Sequence, residues 1–333
     1  MFLIFDPLYF MLATIGYFVM LILASTVAPA VAKRVSGKFS LYTSMVLLAI
    51  LILFVSSAII YLILTVTGIY ISIVGLITFL IIVNLLMYLA SPFIINVSYS
   101  AKPDPSLQAV VNEVAGRLGM RPPKAVVVRG PPNAFAYGNF LTGRYVAVAD
   151  SLLEMLSEDE LEAVIGHELG HHKHKDNAVM LLFGLLPSVI FYLGYSLLYS
   201  SFDDDRRGNQ LALLGIVAVI VSFLVQILVL AFSRLREYYA DFEGTVAAGK
   251  DAMQRSLAKI HLFYERYPSF MREIADSKFR TLFIYAFVNT VAEPITRMEI
   301  EMLKNRPISP IEEFLSTHPP IPKRLRFIES IEL

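Results

Sequence analysis

The chain has 333 residues, 56% of them hydrophobic and only 17% charged, which is too apolar for a water-soluble protein of this length. Lys plus Arg and Asp plus Glu balance at 28 each, with no long basic run, so composition points to no nucleic-acid partner. There is no cysteine, which excludes disulfides and Cys-ligated zinc; any zinc must be held by His and carboxylate ligands.

From Pro7 to Ala32 no residue is charged, a run long enough to cross a bilayer. Ala30-Val31-Ala32 resembles a signal cleavage site, but the N-terminus carries Asp6 and no basic region, which favours a retained span. Phe39 to Ala101 is again uncharged. It is about twice what one helix needs to cross a ~30 Å core at ~1.5 Å per residue. Two helices are predicted there, turning at Thr65-Val66-Thr67-Gly68.

At Lys102 the character changes. Pro103-Asp104-Pro105-Ser106 marks a boundary, and a helical pattern runs from Leu107 to Leu118, stopped by Gly119. Lys124 to Arg129 and Arg144 to Ala149 read as strands, with a Pro/Asn/Gly-rich loop from Gly130 to Gly143 between them. Ser157 then offers an N-cap with Glu160 three residues on, and Leu161, Val164, Ile165 and Leu169 follow at helical spacing. This helix carries Gly166-His167-Glu168-Leu169-Gly170-His171. Asn177 to Phe202 and Gly208 to Ser233 are two more uncharged runs, joined by the polar Asp203-Asp204-Asp205-Arg206-Arg207. From Arg234 the chain is polar and helical in pattern.

The predicted organisation is a membrane region over 1–101 with about three spans and a first catalytic segment over 102–176. A membrane hairpin over 177–233 and a second catalytic segment over 234–333 follow. The fold class is a mainly α membrane protein of about five transmembrane helices. With five spans, Lys33, Arg34, Lys38, Lys102, Lys173, Lys175, Arg234 and Arg236 all fall on one side. The positive-inside rule makes that side cytoplasmic, with Arg206 and Arg207 dissenting. The expected location is the cell membrane, multi-pass, with the bilayer as a partner.

His167 and His171, four apart on a helix, share one face one turn apart. Two such imidazoles can bind one zinc ion; the ion acidifies a water, and Glu168 takes the proton as general base. A catalytic site needs a third protein ligand, and His174, Asp176, Glu237 and Asp241 are the candidates. His174 lies two turns from His167, roughly 10 Å along the axis, too far to share the ion without a break in the helix. Glu237 and Asp241 are again four apart. One can ligate zinc while the other accepts the free N–H of a ligand histidine.

His167-Glu168-x-x-His171, followed after a membrane hairpin by Glu237-x-x-x-Asp241, resembles the HtpX-type membrane zinc metalloproteases, relatives of the type I CAAX prenyl endopeptidases. Asn133-Ala134-Phe135-Ala136-x-Gly138 and Ser316-Thr317-His318-Pro319-Pro320 with Arg324 resemble two further motifs of that family. The resemblance runs from about Lys102 to Arg326. It implies a gluzincin, thermolysin-like α+β catalytic domain, split by the hairpin, with one zinc per chain on His167, His171 and Glu237. It also implies endoproteolysis of membrane or unfolded proteins in quality control. His318 is either a donor to the developing oxyanion or a loop histidine, and Arg324 is expected to pair with Asp or Glu. Asn133 and Phe135 are candidates for a substrate-binding edge strand, or for a hairpin loop anchored by Phe135.

The motif has three rival explanations. In an intramembrane site-2-type protease the motif would lie in lipid, but Glu160, Glu162, Lys173, Lys175 and Asp176 flank it too closely. A CAAX-type processing enzyme usually has more spans. A membrane protein with structural zinc would close the site with four ligands and leave Glu168 no role. The sequence does not determine the oligomeric state.

Overall fold

A computed structural model of the chain describes residues 71–202, 208–266, 296–308 and 318–332. The first expected span, the Thr65–Gly68 turn and the Asp203–Arg207 loop lie outside the described residues. Helix α1 (Ile71–Ser98) is uncharged throughout and contains Pro92. It leads into β1 (Lys102–Pro103) and α2 (Pro105–Arg117). Helix α2 starts two residues earlier than the pattern predicts because Asp104 caps it, accepting from the Leu107 N–H at 2.7 Å, and Pro105 is suited to the first turn. Gly119, at φ +64°, lies just past its end.

Four strands form one mixed sheet in the order β1-β2-β4-β3, where β2 is Lys124–Val128, β3 Ala134–Asn139 and β4 Gly143–Ala149. β2 and β4 are parallel, and β3 pairs antiparallel with β4, leaving β3 at the sheet edge. The stretch Gly130–Gly143, read from sequence as loop, therefore contains a strand. Its Pro, Asn and Gly content masked the alternation that puts Phe135 and Tyr137 into the core. Phe135 packs its ring between Tyr99 (5.3 Å) and Tyr137 (5.4 Å). Its side chain anchors the strand, as in the second of the two readings the sequence leaves open for it. Asn133 is buried as well, and its carbonyl accepts from the Ala149 N–H at 2.8 Å. Any substrate pairing at this edge would use the backbone of β3.

After the short α3 (Asp150–Met155) comes α4 (Glu158–Lys173), the helix that carries His167 and His171. The Ser157 N–H donates to the Glu160 carboxylate at 3.0 Å, as the capping pattern predicts. Buried Glu160 also meets Arg255 and Lys259, which ties the start of α4 to α7 (Lys250–Arg266). One core, including Val111, Val146, Val148, Ile165 and Leu169, lies between the sheet, α2 and α4.

Helices α5 (Asp176–Ser200) and α6 (Gly208–Ala248) pack on one another, and both are long and apolar enough to cross a membrane. Helix α6 does not stop at Ser233, where the uncharged run ends. It continues for 41 residues in all, about 62 Å at ~1.5 Å per residue. The polar continuation lies along α4. α8 (Arg297–Lys304) and α9 (Ile321–Ser330) pack on α7 through Met253, Leu257, Ile300, Leu303 and Leu325.

The α4–α6 contact is nearly backbone on backbone. A Cβ at Gly166 would sit 2.5 Å from the Ala247 Cβ and 3.0 Å from the Gly244 Cα. One at Gly170 would sit 3.0 Å from the Ala240 Cα. Small residues at four-residue spacing on both helices permit this approach, and any branched side chain forces the helices apart. Gly166→Val is expected to cost about 1–3 kcal/mol of stability, read as a lowered thermal midpoint in detergent. An unchanged midpoint would mean that the contact yields without penalty.

Candidate active site

The close α4–α6 contact brings together side chains some 70 residues apart in sequence. His167 and His171 project from one face of α4, their ring centroids 5.0 Å apart and their planes perpendicular. Glu237 on α6 faces both. Its Oε2 lies 3.7 Å from His167 Nε2, and its Oε1 3.7 Å from His171 Nε2. One ligand atom from each of the three lies within 4.8 Å of the other two. The donor set, two imidazoles and a carboxylate, is one that holds zinc with a position left open. His167 Nε2 is buried with no hydrogen-bond partner among the described residues, as an atom reserved for a metal would be. The residues present thus fit a zinc ion.

Each histidine is held from behind by the same arrangement. His167 Nδ1 lies 3.0 Å from Asp241 Oδ1, and Asp241 is gripped in turn by Arg324 from α9, through Nε at 2.8 Å and Nη2 at 2.5 Å. His171 Nδ1 lies 2.6 Å from Asp176 Oδ2, and that oxygen lies 2.8 Å from Arg236 Nε. A carboxylate on Nδ1 fixes the tautomer, turns Nε2 inward and makes the imidazole a stronger donor. Residue spacing points to Asp241 for this role and to Asp176 only as a candidate ligand. The His171–Asp176–Arg236 arrangement is not visible in the sequence, because Asp176 and Arg236 meet only once α6 returns along α4. Asp176→Asn is expected to weaken zinc binding roughly 10–100-fold, measured by competition with a chelating dye. Unchanged affinity would remove Asp176 from the site's support.

Glu168 lies beside His167 and under the sheet edge. Its Oε2 accepts from the Ala136 N–H of β3 at 2.6 Å, while its Oε1 is buried without a hydrogen-bond partner among the described residues. Burial pushes its carboxyl up to about 8; the His171 charge opposes this and the Glu237 charge adds to it. Burial also pulls His167 down, against the effect of Asp241, which favours the neutral form that a ligand requires. His172, one residue past the second histidine, points away from the site to the Tyr145 carbonyl at 2.8 Å.

His318 reaches the site from the segment before α9, its Nδ1 2.9 Å from Glu237 Oε2. His174 does not reach it. It lies on the other side of the helix end, 3.2 Å from Glu243 Oε1 and against the Tyr239 ring. Asn133 and Phe135 are both buried at the start of β3, with Phe135 in the hydrophobic core.

Residues 101–332 match the profile of peptidase family M48. The chain is 76% identical over 329 residues to a protein of Archaeoglobus fulgidus named Protease HtpX homolog, covering 99% of this chain and 98% of that one. It is 56% identical over 346 residues to a protein of the same name from Pyrobaculum aerophilum, covering both chains fully. Among solved structures, S. mikatae Ste24p superposes with a TM-score of 0.49 at 19% identity, covering 88% of this chain and 68% of that one.

Proposed function

Because this chain belongs to peptidase family M48 and is a membrane metalloendopeptidase, we propose that it cuts membrane or misfolded proteins, as a quality-control protease, at a single zinc held by His167, His171 and Glu237. The observation that carries this is the convergence of those three ligand atoms within 4.8 Å. Bound there, zinc supplies Lewis acidity, polarising the scissile carbonyl and acidifying a water beside it. Glu168 receives the proton of the attacking water and returns it to the leaving amine. Its place beside His167, with Oε2 fixed on the Ala136 N–H, suits it to this. Asp241 and Asp176 hold the two imidazoles in register, and Arg324 and Arg236 hold those carboxylates. His318 is placed to steady Glu237 and to donate toward the reacting carbonyl.

The edge of β3 away from β4, which no strand covers among the described residues, supplies the docking line once a peptide displaces its side-chain partners. The Ala136 N–H and the Gly138 carbonyl, two residues apart, are both engaged away from β4, one by Glu168 and the other by Asn177. An extended peptide pairing along that edge would pass over Glu168. α1, α5 and α6 are read as spans of the cell membrane, with the catalytic domain in the cytoplasm on the evidence of Lys and Arg placement.

The test is removal and return of the metal. Protein in detergent, stripped with chelator, should lose cleavage of casein and recover it with zinc. Cleavage that persists at full rate in metal-free protein would overturn the zinc assignment.

A further inference from the structure

The turn between β3 and β4 leaves Phe140 73% and Leu141 67% exposed, side by side at its tip. Leu86, Met87 and Phe93 on α1 are exposed too, as are apolar side chains of α5, α6 and α8. The turn and α1 adjoin. β3 runs antiparallel along α1: Tyr137 Oη donates to Asn96 Oδ1 at 2.6 Å, and Asn139 Nδ2 donates to the Tyr88 carbonyl at 3.0 Å. Thr142 Oγ1, at the turn, donates to the Leu89 carbonyl at 3.0 Å. From Asn96 back to Tyr88 is about 12 Å of helix at ~1.5 Å per residue. The turn thus reaches back along the uncharged body of α1. Tyr88 and Leu89 lie inside the uncharged run, which continues to Ala101.

Helix α5 marks the same level. The Gly138 carbonyl accepts from Asn177 Nδ2 at 3.0 Å, where the uncharged run of α5 begins. Phe140 and Leu141 lie beyond Gly138 along the strand. Beside them Arg144 and Lys175 line one concavity with Tyr88, Asn139, Phe140 and His171, and among the described residues no carboxylate lines it; Lys173, also on its wall, is paired with Glu243 at 2.9 Å. An apolar tip beside basic residues matches the acyl boundary and the anionic headgroups of a lipid leaflet.

We propose that the β3–β4 turn dips into the bilayer that the chain spans, with Phe140 and Leu141 among the upper acyl chains and Arg144 and Lys175 against anionic headgroups. This rests on the reading of α1, α5 and α6 as membrane spans. It ties the outer edge of β3, whose Ala136 N–H faces Glu168, to the membrane plane. A polypeptide segment leaving the bilayer would then meet the site at once, before it reaches bulk water.

The chain has no cysteine and no tryptophan, so single probes can be placed without background. Phe140→Cys and Leu141→Cys would each carry a spin label in vesicles of phosphatidylcholine and phosphatidylglycerol. Leu85→Cys on α1 serves as a lipid-facing reference and Glu158→Cys on α4 as a water-facing one. The expected result is a shift of the oxygen-to-nickel-chelate collision ratio at 140 and 141 from the Glu158 value to the Leu85 value. Phe140→Trp, a milder change, should show blue-shifted emission quenched by lipids with brominated acyl chains. Labels at 140 and 141 that match Glu158, with Trp emission quenched by aqueous iodide instead, overturn the proposal. So does shielding that appears only when casein is added, which makes the turn a substrate contact. The reading needs no catalysis: zinc-stripped protein should give the same depth, so a failed protease assignment leaves this one standing. A Leu85 label that faces water defeats the membrane reading and the proposal together.

Discussion

Glu168→Gln is expected to slow peptide hydrolysis by roughly 10²–10⁴-fold, the range that positioned proton transfer contributes, while leaving the zinc content of the protein unchanged. The amide has the shape of the carboxylate, and its oxygen can still accept from the Ala136 N–H, which the native side chain meets at 2.6 Å. What it loses is basicity. Glu168 is not among the three groups whose ligand atoms converge, so metal affinity should not follow it. The measurement is casein cleavage in detergent beside metal analysis of the same preparation. If the variant loses zinc along with activity, Glu168 belongs to the ligand set. If it keeps both, the base lies elsewhere.

The second large effect concerns Arg324, which is fully buried and held on Asp241, itself fully buried. Arg324→Met is expected to cost about 3–5 kcal/mol, because it strands a carboxylate in the protein interior with only a histidine beside it. Thermal unfolding in detergent would register this as a marked fall in midpoint. The double variant Arg324→Met with Asp241→Leu separates two roles of the pair. Removing both charges should recover much of the stability, since a buried ion pair adds little over apolar packing of similar volume. It should not recover zinc affinity, because His167 Nδ1 would still lack its acceptor at 3.0 Å. A double variant that binds zinc as wild type does would show that Asp241 holds the fold and does not orient His167.

Much of this was legible in the residues, because the deciding interactions are local. Helical periodicity places His167 and His171 on one face whatever α4 packs against, and the Ser157–Glu160 cap acts within a single turn. The four-residue spacing of Glu237 and Asp241 carries the same kind of information. The β3 strand was harder to see. Its alternation covers few residues, and its Asn and Gly content is that of a loop; Phe135 reads as a surface motif until the sheet turns it inward.

The sequence by itself determined an apolar, cysteine-free chain with repeated uncharged runs and a helix bearing two histidines and a glutamate. Each of these follows from composition or from contacts within one or two turns. Only the tertiary structure decided that α6 continues past its apolar run and lies against α4 closely enough to bring Glu237 within 3.7 Å of both histidines. It also decided that Asp176 and Arg236 stand behind His171, and that Phe140 and Leu141 emerge beside α1. These depend on the distance between backbones of remote segments. That distance is set by which side chains are absent, at Gly166, Gly170 and Gly244, and no pattern along a single helix reveals which other helix will use the gap.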